Sequence, residues 1–139
     1  MKSSKPILLV EDDTNDAMTI KRAFKELKIT NELVHTIDGI EALEYLKDNE
    51  KKKPCLILLD LNMPKMNGMD FLKHAKSDDD LKDISVVVLT TSGDPKDIDD
   101  TFNQNVAGYI VKPVDYQKFL EAVNAINKYW TLSELPNPT

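Results

Sequence analysis

Cys55-Leu56-Ile57-Leu58-Leu59-Asp60-Leu61-Asn62-Met63-Pro64, followed two residues later by Asn67-Gly68, is the stretch that decides how this chain folds. Five apolar residues bounded by turn formers predict a strand buried on both faces, and a charge deep inside such a strand would be costly unless paired. At the strand's C-terminal tip that cost disappears. Ligands of open α/β sheets bind along the same edge, which makes Asp60 the first candidate for a working residue.

Outward from this strand, apolar runs alternate with helical patterns at short intervals, the signature of repeated βα units. Ile7 to Val10 predicts a first strand, leading through Glu11-Asp12-Asp13 to Thr14 or Asn15 as a helix cap. Ala17, Ile20, Phe24 and Leu27 then form one helix face. Glu32 to Ile37 reads as the second strand, and Asp38-Gly39 turns it into a helix with the stripe Ile40, Leu43 and Leu46. A third helix is marked by Gly68, Phe71, Leu72 and Ala75, and a fourth strand by Val86 to Leu89. Pro95 opens a weakly apolar fourth helix with only Ile98 and Phe102 to turn inward. Ala107 to Val111 is the fifth strand, and Tyr116, Phe119, Leu120, Val123, Ile126 and Trp130 line the last helix.

Right-handed parallel crossovers leave few arrangements for five such units. The expected fold is α/β, a doubly wound five-stranded parallel sheet of order 2-1-3-4-5, flavodoxin-like. That order sets strands 1 and 3 side by side, so Glu11, Asp12 and Asp60 converge on one crevice. Three carboxylates there repel one another without a cation, and an all-oxygen ligand set suits Mg²⁺ better than zinc. Neither His35 nor His74 is expected near the crevice. Thr90-Thr91-Ser92 after strand 4 and Lys112-Pro113 after strand 5 supply a hydroxyl and an ammonium, which suit the equatorial oxygens of a phosphoryl group. Asp60 is thereby left as an in-line nucleophile that would become an aspartyl phosphate.

The ordered set of an acidic pair, Asp60-Leu61-Asn62-Met63-Pro64 with Asn67-Gly68, Thr90, and Lys112-Pro113 resembles the receiver domain of two-component response regulators, over about Lys5 to Tyr129. The resemblance implies Asp60 as phosphoacceptor, and Asp12, Asp60 and the main-chain carbonyl of Asn62 as Mg²⁺ ligands, with Glu11 acting through water. It implies Thr90 as the switch hydroxyl, Tyr109 as the aromatic that follows it, Lys112 as the phosphate-contacting lysine, and Asn62 and Ser92 as tuning positions for the phosphoryl lifetime. A cis bond before Pro113 is implied too, while Asp13 stays outside the metal set. Ser85 stands where many receivers carry proline, which leaves the start of strand 4 open. Val88-Leu89-Thr90-Thr91-Ser92 and Tyr129-Trp130 look most like small stand-alone regulators that serve bacterial phytochrome kinases.

Bulk properties agree with a single small domain: 139 residues, expected as a receiver domain over 1–130 and a short tail over 131–139. A formal charge of -6 removes the basic footprint of a nucleic-acid binder, and Lys51-Lys52-Lys53 reads as a solvated loop. The apolar runs are too short to cross a bilayer, and the single cysteine, Cys55, cannot pair within the chain and reads as a small buried hydrophobe. A cytoplasmic setting is the default. Met63, Met66 and Met69 read as fillers of the loop and helix start, and Asp78-Asp79-Asp80 as a solvated loop.

The expected function is that of a single-domain response regulator, phosphorylated by a sensor histidine kinase or phosphotransfer protein. With no room after Trp130 for an output domain, its conformational switch would act in a phosphorelay through a downstream protein contact, an oligomer or onward passage of the phosphoryl group. It is expected not to be an enzyme beyond Mg²⁺-dependent self-phosphorylation and slow autodephosphorylation. The face of the fourth helix, fifth strand and fifth helix is a homodimer surface by the same resemblance. The alternative is a pseudo-receiver, a protein-binding module that responds to no phosphoryl group. A dehalogenase-type hydrolase would need a second aspartate where Asn62 stands, and an FMN carrier would not place an acidic turn after strand 1.

Overall fold

The buried run around Leu58 becomes the third of five parallel strands, β1 (Ile7–Val10), β2 (Leu33–Thr36), β3 (Leu56–Leu59), β4 (Ser85–Thr90) and β5 (Gly108–Val111). In the computed structural model, which describes residues 5–63, 66–112 and 115–132 with the last three by backbone alone, they form one sheet of order β2-β1-β3-β4-β5. β1 and β3 are buried at every position, as continuous apolar runs in a doubly covered parallel sheet should be. Ser85 pairs with Leu56, so strand 4 starts there without a proline.

Five helices cover the two faces: α1 (Thr14–Glu26), α2 (Gly39–Lys47), α3 (Gly68–Ser77), α4 (Pro95–Phe102) and α5 (Tyr116–Leu132). Alternate strand residues divide between them. Ile7, Leu9, Leu56, Leu58, Val87 and Leu89 pack toward Ala17, Ile20 and Phe24 of α1 and Phe119, Leu120 and Val123 of α5. Leu8, Val10, Ile57, Leu59, Val86 and Val88 pack toward Ala42, Leu43 and Leu46 of α2 and Phe71, Leu72 and Ala75 of α3. Met63 is buried in that second cluster, with Met66 and Met69 against it, as expected of gap-filling thioethers.

Several local expectations are corrected. The cap of α1 is Asp13, whose carboxylate accepts from the Asp16 amide at 3.0 Å, and not Thr14 or Asn15. Ile40 lies 43% exposed because α2 turns Gly39 and Ala42 to the core instead. Phe102 is likewise exposed, and the one buried residue of α4 is Thr101, which returns its hydroxyl to the Asp97 carbonyl at 2.6 Å. Lys53 is not simply solvated, since its ammonium donates to the Leu46 carbonyl, and Cys55 is half-buried. Asp78 ends α3, and its carboxylate caps the Asp80 amide. Pro64, the Lys112-Pro113 bond and the Trp130 side chain lie outside the described residues.

The loop after β3 is folded back by one glycine. The Gly68 amide donates to the Leu61 carbonyl at 2.9 Å, and a Cβ there would stand 2.4 Å from the Asp60 carbonyl oxygen and 2.5 Å from the Leu61 Cα. Both neighbours are backbone and cannot rotate away. Gly68→Ala should therefore destabilise the protein by about 1–3 kcal/mol, the usual cost of overpacking, read as a lowered urea midpoint with an unchanged slope. An unaltered midpoint would show that the 61–67 loop yields freely.

Candidate phosphoryl-transfer site

Parallel pairing extends one residue past the strands. The Glu11 amide donates to the Thr36 carbonyl at 3.0 Å, the Asp60 amide to the Val10 carbonyl at 3.0 Å, and the Lys112 amide to the Thr90 carbonyl at 2.6 Å. The sheet itself thus fixes where these three side chains begin. Carboxylate oxygens of Glu11, Asp12 and Asp60 all lie within 4.8 Å of one another. Glu11 and Asp60 are buried and Asp12 is exposed, so the cluster opens to solvent on the Asp12 side.

Two such charges 4.8 Å apart repel by about 3.5 kcal/mol at an effective dielectric near 20. Burial, reinforced by a hydrogen bond with Asp60, pushes the Glu11 carboxyl up to about 7 from its ordinary 4.5, against the downward pull of Lys112. A hard divalent cation answers this arrangement, since an all-carboxylate donor set is one that zinc rarely chooses. Asp12, Asp60 and Glu11 are the residues that fit it. Asp13, bound to the start of α1, points its carboxylate elsewhere.

Lys112 reaches the cluster from the opposite edge. Its Nζ lies 2.8 Å from Glu11 Oε1, 2.7 Å from Asp16 Oδ2 and 3.8 Å from Asp60 Oδ2. Burial works against the ammonium, but the hydrogen bonds to Asp16 and Glu11 and the charges of Glu11 and Asp60 outweigh it and hold Lys112 above its ordinary value. Asp60 Oδ1 accepts from the Asn62 amide at 3.1 Å, which sets the carboxylate plane. Asn62 Nδ2 in turn donates to Thr90 Oγ1 at 3.1 Å and to Thr91 Oγ1 at 3.2 Å. Thr90 is fully buried, whereas Ser92 turns away and donates to Asp97 Oδ2 of α4 at 2.6 Å. The Tyr109 hydroxyl donates to the Ser92 carbonyl at 2.8 Å, and its ring lies 6.4 Å from that of Phe102.

The structure therefore brings Glu11, Asp12, Asp60, Asn62, Thr90 and Lys112 together, with Ser92 and Tyr109 joined to each other just beyond them. Two residues escaped the sequence reading. Asp16 sits in the first turn of α1, and only the folded position of Lys112 reveals it. His35 was placed away from the crevice, yet its Nε2 lies 2.7 Å from the Glu11 carbonyl oxygen, because residue 35 of β2 pairs with Leu9 and so stands beside the end of β1. A broad groove of about 610 Å³ lined by Ile40, Met66, Asp70, Lys73, His74 and Ser77 shares none of the acidic residues.

The model of the response regulator receiver domain matches residues 7–124. The chain belongs to that family. It is 39% identical over 127 residues, 89% of this chain and 82% of the other, to a probable methanogenesis regulatory protein, FilR2, of Methanothrix harundinacea. Its fold matches the phosphorylated cyanobacterial phytochrome response regulator RcpA at a TM-score of 0.87, with 38% identity over 96% of this chain and 99% of RcpA. The Mn²⁺-bound form of Rcp1, the response regulator of Synechocystis, matches at 0.86 with 36% identity and the same coverage. This receiver is accordingly a response regulator of two-component signalling, and no helix among its described residues is long and apolar enough to cross a membrane.

The raised Glu11 carboxyl makes the metal-free receiver sensitive to pH. Its folded form holds a proton more tightly than the unfolded chain, so the stability this gives is complete below pH 4.5 and is lost as pH rises through about 7. Glu11→Gln should flatten that fall. Urea unfolding in chelator at pH 5 and pH 8 compares the two slopes, and equal slopes would place the loss elsewhere.

Proposed function

We propose that this receiver accepts a phosphoryl group on Asp60 from the phosphohistidine of a sensor histidine kinase or phosphotransfer protein. The observation that carries the reading is the Lys112 ammonium 3.8 Å from Asp60 Oδ2 inside a three-carboxylate cluster. An Asp60 oxygen attacks phosphorus, the P–N bond breaks and the electron pair leaves with the imidazole of the donor. Lys112 and the Thr90 hydroxyl meet the phosphoryl oxygens. Asp12, Asp60 and the main-chain carbonyl of Asn62, with Glu11 through water, would hold Mg²⁺, which would supply charge neutralisation there. The Mn²⁺-bound form of Rcp1 and the phosphorylated form of RcpA support both parts.

The contacts at Thr90 suggest how the signal leaves. The Thr90 hydroxyl, which accepts from Asn62 Nδ2, would donate its O–H to a phosphoryl oxygen, and Tyr109 can follow once its bond to the Ser92 carbonyl is released. Asn62 and Ser92 flank the route and tune the phosphoryl lifetime. Because α4 buries only Thr101, it is the helix held least firmly and the first to respond. The α4, β5 and α5 face then meets a downstream protein or a second copy. In this reading the receiver expected over residues 1–130 extends with α5 to Leu132, in a cytoplasmic protein.

Intact mass after incubation with acetyl phosphate tests the chemistry. One added phosphoryl group is expected, dependent on Mg²⁺ and abolished in Asp60→Asn. An unmodified native chain, with acetyl phosphate and with phosphohistidine donors, would favour the pseudo-receiver instead. Sedimentation of both phosphorylation states tests the dimer face: association should appear on phosphorylation, and a monomer in both states at high concentration rules that face out.

A further inference from the structure

Lys112 spends two of its three N–H donors on carboxylates of very different character. The Glu11 side chain is 2% exposed and Asp16's is 42% exposed, though the two contacts are equally short at 2.8 and 2.7 Å. An ammonium drawn to both is kept at 3.8 Å from Asp60 Oδ2, beyond hydrogen-bond reach. Asp16 comes from the first turn of α1 and takes no part in capping, since only its backbone amide serves the Asp13 cap. A cavity of about 60 Å³ lined by Asp16, Thr19, Ile20, Leu89, Lys112 and Phe119 lies on the α1 and α5 side of the pair.

We propose that Asp16 is a positioning residue that restrains Lys112 in the resting receiver and is the partner Lys112 gives up when a phosphoryl group arrives. The inference rests on the reading of Asp60 as phosphoacceptor. A third donor directed at a phosphoryl oxygen requires the ammonium to move toward Asp60, and one of its two close carboxylates must let go. Releasing Glu11 would break a pair between side chains only 2% and 12% exposed, where losing a partner is costly. Releasing Asp16 returns a half-exposed carboxylate to water, where an exposed ion pair is worth only about 0–1 kcal/mol. Asp16 also adds a negative charge 2.7 Å from the group that must attract an anionic donor, so while engaged it opposes donor binding.

The restraint should appear in donor affinity and not in the chemical step. Rates of phosphorylation by acetyl phosphate in saturating Mg²⁺ separate the two. Asp16→Asn is expected to lower the half-saturating acetyl phosphate concentration about two- to fivefold while leaving the limiting rate within about twofold, a shift of the size one weak ion pair allows. Asp16→Glu should return it toward the native value, and both variants should unfold within a few degrees of the native chain. A half-saturating concentration unchanged in Asp16→Asn would make the contact an idle surface pair, and a raised one would mean that Asp16 presents Lys112 to the donor; either overturns the proposal. Failure of the native chain to gain a phosphoryl group would instead strike the underlying reading.

Discussion

Everything at the working edge of this receiver depends on one constraint: three carboxylates occupy a space less than 5 Å across, two of them buried, with one lysine to answer them. The parallel sheet creates the problem by design of its order. Because β1 and β3 are neighbours at the point where the winding reverses, residues that follow each strand by one position must meet. The same sheet supplies the partial solution, since β5 ends at the far side of β4 and its next residue is Lys112. A long, flexible side chain then spans what short carboxylates cannot. The resting site is left short of positive charge, and that deficit gives it an appetite for a cation.

The switch elements inherit the tension in a graded way. Asp60 is tied through the Asn62 amide, Asn62 is tied through its side chain to Thr90 and Thr91, and Ser92 is tied to both α4 and Tyr109. Each link is a single neutral or singly charged hydrogen bond worth about 1 kcal/mol net, so none alone is strong enough to freeze the chain of contacts. α4 contrasts with its neighbours: α3 buries Phe71, Leu72 and Ala75, whereas α4 buries a threonine whose polar group is spent on its own backbone. A small change at Thr90 therefore acts on an element with little apolar burial to resist it.

Legibility followed the physics of each signal. Strands buried on both faces leave an unbroken apolar run, which is why β1, β3 and β4 were found to within a residue or two and why sheet order followed from handedness. The strand-end positions of Glu11, Asp60, Thr90 and Lys112 were legible for a like reason, each being the first polar residue after an apolar run. Amphipathic faces were harder. Gly39 lets the start of α2 approach the Met66 backbone closely and Ala42 is fully buried, so the larger Ile40 turned outward, and a hydrophobicity stripe cannot register that small residues win where backbones are close. The cap of α1 slipped by one residue because Asp, Thr and Asn are all good caps and stand in a row.

Long-range side-chain contacts formed the class that sequence could not show. Asp16 and Lys112 lie 96 residues apart, and His35 and Glu11 lie 24 apart; neither spacing carries a pattern. Both contacts nevertheless have a common logic. His35 stands on the strand beside β1 and bonds the carbonyl of Glu11, while Asp16 stands one helical turn beyond Asp12 and bonds the lysine that faces Glu11. Glu11 is thus approached through its backbone from one side and, through Lys112, from the other. Burial and the Asp60 contact push the Glu11 carboxyl up to about 7 while Lys112 pulls it down, so whatever fixes that lysine also bears on how readily the site gives up a proton.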